Sequence, residues 1–237
     1  MLPLILAALL SGGATPAAGP ADEPPLPYVR GGSWWVYASP GGSARVRLEE
    51  LEGVHDGARR YRWEIRLAGA TMQEELVLRA DGLFTASRTF SFVGRTLWAL
   101  RFDPPELTVA LPLEVGRRWA YRTPVLSRSS RGWDQVEGAV EALEPVQVPA
   151  GTFDAYRIRL ARRDSWGSVM DSVIWLDPRV GVVMADGVLR WPGLTGAVQR
   201  MLGLDRLQLR LVEAHVEPAR PERPASAKAG PPREGKG

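Results

Sequence analysis

The stretch "RRYRWEIRL", residues 59–67, puts Tyr61, Trp63, Ile65 and Leu67 in one register and Arg60, Arg62, Glu64 and Arg66 in the other. A period of two suits an extended strand with one apolar and one wet face, and it fits no helix. The pattern returns in "DAYRIRLAR", where Tyr156, Ile158 and Leu160 alternate with Arg157 and Arg159. It returns again in "DRLQLRL", where Leu207, Leu209 and Leu211 alternate with Gln208 and Arg210. Parallel strands covered on both faces would read as continuous apolar runs, so the alternation selects antiparallel sheet.

Further strands are predicted at 43–53, 73–80, 83–93, 95–102, 107–112, 117–123, 133–146, 168–176 and 180–187. Turn chemistry separates them: "SPGGS" at 39–43, "HDG" at 55–57, "ADG" at 80–82 and again at 185–187, and "PAGTF" at 149–153. "LTGAVQRML" (194–202) has helical spacing, with Leu194, Val198, Met201 and Leu202 on one face. The last strand changes phase from Leu207, Leu209 and Leu211 to Val212, Ala214 and Val216, which a bulge or a departure from the sheet explains. The expected fold class is therefore all-β: ten to twelve strands in meanders, forming one curved antiparallel sheet, an open or half-closed barrel with at most one or two short helices.

Composition sets the limits of that domain. Of 237 residues, 45% are hydrophobic, enough for a substantial core, and the absence of cysteine removes disulfides, thiol nucleophiles and thiolate metal sites. The net charge of +3 is carried by the last residues, where Arg220, Arg223, Lys228, Arg233 and Lys236 face only Glu222 and Glu234. The rest is charge-balanced, which argues against the clustered positive footprint of a nucleic-acid binder. Residues 1–21 read as a signal peptide: "LPLILAALL" is too short to span a bilayer and small residues from Ala14 to Ala21 offer a cleavage site, although no Lys or Arg precedes the run. The expected division is leader 1–21, β domain 24–216 and a disordered Pro/Gly/Arg-rich tail 217–237, placing the mature protein in the periplasm or outside the cell.

Two phrases echo each other. "YVRGGSWWVY" (28–37) and "LEVGRRWAYR" (113–122) both set a Gly three residues before a Trp: Gly31 before Trp34, and Gly116 before Trp119 and Tyr121. The reading is a strand start, with Gly allowing the turn and the aromatics, two apart, facing one side. In "VQVPAGTFDAYRI" (146–158), Pro149 lacks a donor and ends a strand, Ala150–Gly151 turn, Thr152 supports the turn through its side chain, and Phe153 returns to the core. With "LPLEVGRRWAY" (111–121) and "WLDPRVGVV" (175–183, containing Gly181), this phrase resembles a set of exported bacterial domains of unknown function. The resemblance implies a half-barrel similar in general form to the bacterial lipoprotein-localisation factors, whose concave sheet holds acyl chains. It brings no activity with it.

Catalytic constellations are missing from the sequence. His55 and His215 are the two histidines and no local spacing gives them partners; no HExxH, GxSxG, P-loop or dinucleotide fingerprint occurs. Glu74 and Glu75 are adjacent and so fall on opposite faces of a strand. No enzyme activity, metal or cofactor is expected. The richer feature is nine tryptophans, because Trp often lines ligand grooves. Phe84, Ala86, Phe90 and Phe92 share even spacing with Arg88, a cation in an apolar row that either meets an anionic head group or reaches solvent at a bend or edge. The leading expectation is a non-enzymatic binding module holding an apolar or lipid-like ligand on the concave face. Its expected lining is Trp63, Phe84, Arg88, Phe90, Trp119, Tyr121, Tyr156 and Trp175. Two alternatives stand beside it: an envelope assembly protein binding a protein partner through a sheet edge, and a glycan-binding protein with exposed Trp in a groove beside carboxylates.

Overall fold

The structure is a computed structural model describing residues 26–55, 58–193, 196–197, 200 and 205–218. The predicted leader, almost all of the predicted tail and most of the helix candidate at 194–202 lie outside the described residues. The strands are β1 (Trp34–Ser39), β2 (Gly42–His55), β3 (Ala58–Leu67), β4 (Ala70–Arg79), β5 (Gly82–Phe92) and β6 (Arg95–Ala110). They continue with β7 (Arg118–Ser127), β8 (Arg131–Val148), β9 (Gly151–Asp164), β10 (Val169–Asp177), β11 (Gly181–Arg190) and β12 (Arg206–His215). Each pairs antiparallel with its neighbours in sequence, and β1 pairs with β12, so the sheet closes into a twelve-stranded barrel. The curved antiparallel sheet is as expected, and closure is complete. The joint is Trp34↔His215 through Ala38↔Arg210, with a register shift at Val36/Tyr37 that leaves Val212 as the extra residue. That bulge accounts for the phase change in the last strand.

Alternation decides which side is inside. Trp35, Tyr37, Val46, Leu48, Tyr61, Leu76, Ile158, Leu160, Leu176 and Leu211 fill the interior. Outside, cross-strand ion pairs tie the wall: Arg62–Glu49 at 3.2 Å, Arg60–Glu75 at 3.1 Å, Arg159–Glu141 at 2.6 Å and Arg210–Asp186 at 2.9 Å. Exposed pairs of this kind are each worth less than about 1 kcal/mol. A membrane-spanning barrel has an apolar outer band; here the strand exteriors carry the charge. No described helix is long and apolar enough to cross a membrane.

In an up-and-down barrel the connections alternate between two ends. One end holds the β2–β3, β4–β5, β6–β7, β8–β9 and β10–β11 turns and is capped by residues 26–33. Leu26, Tyr28 and Val29 of that segment are buried, and the Tyr28 ring packs on Gly181, whose φ of +101° excludes most side chains. The Trp35 indole N–H donates to the Val180 carbonyl (2.6 Å) and the Tyr37 hydroxyl to that of Val182 (2.7 Å). From the long β8–β9 hairpin the Ala150 N–H reaches the Leu211 carbonyl of β12 (3.0 Å). The phrases at 111–121, 146–158 and 175–183 all span connections at this end.

Two local readings need correction here. The β8–β9 turn is Pro149–Ala150, with Val148 opposite Gly151, and Thr152 is exposed opposite Gln147, its side chain making no hydrogen bond among the described residues. The turn falls one residue early because Gly151, at φ +135°, is already paired in the ladder. In the first echo, Trp35 and Tyr37 are the inward pair two apart, while Trp34 faces outward opposite Arg47. In the second, Gly116 takes φ +94° and Trp119 lies over Gly138. A Cβ at Gly138 would overlap that indole. Gly138→Val is expected to destabilise the barrel by about 1–3 kcal/mol through overpacking, read as a lower urea midpoint at unchanged slope.

The wall has one weak joint. β6 and β7 pair only over Leu100↔Ser127, Arg101↔Leu126 and Phe102↔Val125. Beyond Asp103, Pro104 and Pro105 bring no N–H, so the ladder stops. The Thr123 hydroxyl donates to the Pro104 carbonyl at 2.6 Å and holds the gap closed.

Candidate functional site

Towards the capped end the interior is packed with side chains. Between Tyr28, Trp35, Tyr37, Trp63 and Leu83 a residual cavity of about 10 Å³ remains, no larger than a single water needs. Behind the β6–β7 joint, five charged side chains replace the aliphatic core: Glu74, Arg88, Glu106, Asp134 and Arg162. Arg88 pairs with Glu74 and lies over the Phe102 ring at 5.5 Å. Arg162 pairs with Glu106 and stands 3.6 Å from Asp134. The Glu106 side chain has no exposure and that of Asp134 3%, so burial dominates their titration. It pushes Glu106 up to about 7 against the pull of Arg162, and raises Asp134 in the same way. Glu106 Oε1, Asp134 Oδ1 and Arg162 Nε are buried without hydrogen-bond partners.

This network disposes of both readings of Arg88: it is buried, and its charge is taken by Glu74. The shared face of Phe84 and Arg88 is also wrong. Register shifts between Thr85 and Ser87 and between Glu75 and Leu76 make Ala86 an extra residue, which turns Thr85 and Arg88 inward together. Phe84 instead packs with Val77, Ala58 and Leu107, under the Arg79 guanidinium at 4.9 Å. Trp63 and Trp119 are half-buried inside and their indole N–H groups lack acceptors. Tyr121 faces Val136 within the β7–β8 ladder. Tyr156 packs against the core, and Trp175, in register with Arg157, donates to Glu144 at 2.8 Å. Phe90 belongs to an aromatic cluster with Trp98 (5.6 Å) and Trp191 (5.2 Å). The eight expected ligand residues therefore serve at least four separate places, and line no common groove.

An open groove of about 1180 Å³ lies on the outer wall of β1, β2 and β3. Trp34 is half-buried in it, stacked on His215 at 5.9 Å and 15° between planes; His215 meets Glu217 at 3.2 Å. Arg47 stands opposite Trp34 and Arg45 opposite Val36; both are exposed and make no ion pair within 4 Å among the described residues, although Arg47 is also in register with Glu64, and Glu49, Glu64 and Glu213 supply carboxylates. Trp34 was legible only as a strand-starting aromatic. Its outward direction follows from Trp35 taking the inward register. Among the described residues no three His, Asp or Glu side chains gather as metal ligands.

No protein-family model matches the chain, and no curated protein does. Among solved structures it is similar to a crystal structure provisionally described as a lipoprotein from Parabacteroides distasonis. The two share 12% identity over 79% of this chain and 96% of that one, with a TM-score of 0.36. A likeness at that level carries no argument about this chain's fold or role.

Proposed function

We propose that this chain is a non-enzymatic binding module, exported by its leader, that takes an acidic glycan in the outer groove of β1–β3. The observation that carries the reading is Trp34 beside its cross-strand partner Arg47, with Arg45 the next outward residue of β2, in a groove of about 1180 Å³. An indole presents an apolar face to a sugar ring. Guanidinium forks bind carboxylate or phosphate groups. The neighbouring Glu side chains accept hydroxyl donors. We place the ligand outside the barrel, because the cavity among Tyr28, Trp35, Tyr37, Trp63 and Leu83 has only about 10 Å³. Partner capture along a sheet edge has little room in a closed barrel.

Calorimetric titration with acidic and neutral oligosaccharides tests this. Acidic ones are expected to bind, and Trp34→Ala to weaken binding roughly 30-fold, the loss typical of a central aromatic anchor. Equal binding by Trp34→Ala, or no binding of any acidic oligosaccharide, rules the groove out.

A further inference from the structure

The end of the barrel opposite the cap has a character of its own. Six connections meet there: β1–β2, β3–β4, β5–β6, β7–β8, β9–β10 and β11–β12. They carry Arg95, Arg128, Arg131, Arg163, Arg190 and Arg206, all exposed and none in an ion pair among the described residues. Against them stand Asp164 and Asp205, and Asp164 is occupied in its turn, accepting from the Trp166 and Ser168 N–H groups. At the capped end the numbers balance instead: Arg30, Arg59, Arg79, Arg117, Arg118 and Arg179 stand among Glu50, Asp81, Glu114, Asp154, Asp177 and Glu217, and Arg179 pairs with Asp177. The barrel is therefore electrostatically polar along its axis although the strands are balanced.

Apolar side chains project from the same arginine-rich end. Val93 is 73% exposed at the tip of the β5–β6 hairpin, Leu97 52%, and Leu126 in the next hairpin 38%. Trp98 and Trp191 are half-buried behind them. Val93 also sits at φ +46° followed by Gly94 at +74°, a two-residue turn whose first position favours Asn or Gly and strains a β-branched residue. The sequence thus keeps an apolar residue where it is both exposed and strained.

We propose that this end docks on an anionic phospholipid surface, with Val93 and Leu97 entering the headgroup layer and the arginine ring meeting the lipid phosphates. Arginines contribute individually near such a surface, and tryptophans with a basic rim suit the water–bilayer boundary. A soluble polyanion would use the arginines and leave the aliphatic tip without a role, which is why a bilayer is the occupant. The orientation points the β1–β3 groove away from the membrane, and the docking does not depend on that groove binding anything.

The test is co-sedimentation of the purified full chain with vesicles of phosphatidylglycerol and phosphatidylcholine, against vesicles of phosphatidylcholine alone. Binding is expected with the anionic vesicles and is expected to fall with salt. The triple variant Arg95→Ser/Arg128→Ser/Arg131→Ser is expected to lose roughly 100-fold in partitioning, and Val93→Asn/Leu97→Ser roughly tenfold. Val93→Asn alone relieves the turn, so it is expected to melt at a higher temperature and yet bind vesicles less, which separates docking from folding. Parent-like vesicle binding by both multiple variants, or no binding by the parent, overturns the proposal. So does loss in the arginine variant with none in the aliphatic one, which marks a general polyanion surface.

Discussion

Arg162→Met is expected to cost the barrel about 3–5 kcal/mol, the usual result of removing one partner from a buried ion pair. Arg162 of β9 is the cation shared by Glu106 of β6 and Asp134 of β8, and its own side chain is 13% exposed. Methionine keeps most of the volume, so the loss reports charge and not a cavity. The remaining carboxylates can escape by taking up protons, which makes the penalty smaller at acidic pH than at pH 8. Arg162→Met/Glu106→Leu removes the orphaned charge along with its partner, and should regain at least about 1 kcal/mol relative to the sum of the single changes. Urea unfolding of the four species provides the cycle. Additivity of the two substitutions would show that the pair is not coupled in the folded state.

The network leaves no mark in the local sequence pattern. Alternation reads the face of a residue from its neighbours in the strand, and it served well where strands are regular. Tyr61 and Trp63 face inward and Arg60 and Arg62 outward, as "RRYRWEIRL" states. It fails after each bulge. The extra residue Ala86 reverses the phase of β5, so Arg88 appears to keep company with Phe84 when it points toward Glu74. Glu106 was hidden by the prolines before it, which split β6 into two predicted strands, 95–102 and 107–112, with Glu106 in the gap. Closure was equally illegible, because the β1–β12 register joins the two ends of the domain and leaves no local mark. The outer groove follows from strand curvature and from Trp34 falling in the outward register. Sequence supplied the residue types at the groove, and three-dimensional proximity supplied the site.

Stability is expected to fall by up to about 3 kcal/mol as pH rises from 4.5 to beyond 7. Two buried carboxylates, Glu106 and Asp134, and the partly exposed Glu74 face two guanidiniums, Arg88 and Arg162, so the network is neutral only while it holds one proton. Burial, the largest influence on Glu106, raises it from 4.5 to about 7. A group with a raised folded pKa binds protons more tightly in the folded state, so folding is favoured below 4.5 and that advantage is lost as pH climbs through 7. Each unit of difference is worth 1.36 kcal/mol, which gives about 3 kcal/mol for Glu106. Asp134 is shifted in the same direction for the same reason and shares the titration. Glu64 and Glu141 do not cancel this slope: both are lowered, Glu64 by Gln73 and Arg66 against its partial burial, Glu141 by the Arg159 hydrogen bond, so they act below pH 4.5. Glu106→Gln keeps an acceptor for Arg162 and removes the proton, so its urea midpoint should stay nearly flat between pH 5 and 8 while that of the parent falls. A parent slope as flat as that of the variant would place the excess charge elsewhere. The β6–β7 joint is where the extra negative charge would be felt, because Glu106 sits directly behind the three-pair ladder that closes it. Amide hydrogen exchange in Phe102 and Val125 should therefore quicken above pH 7, beyond the intrinsic rise with pH, in the parent and not in Glu106→Gln.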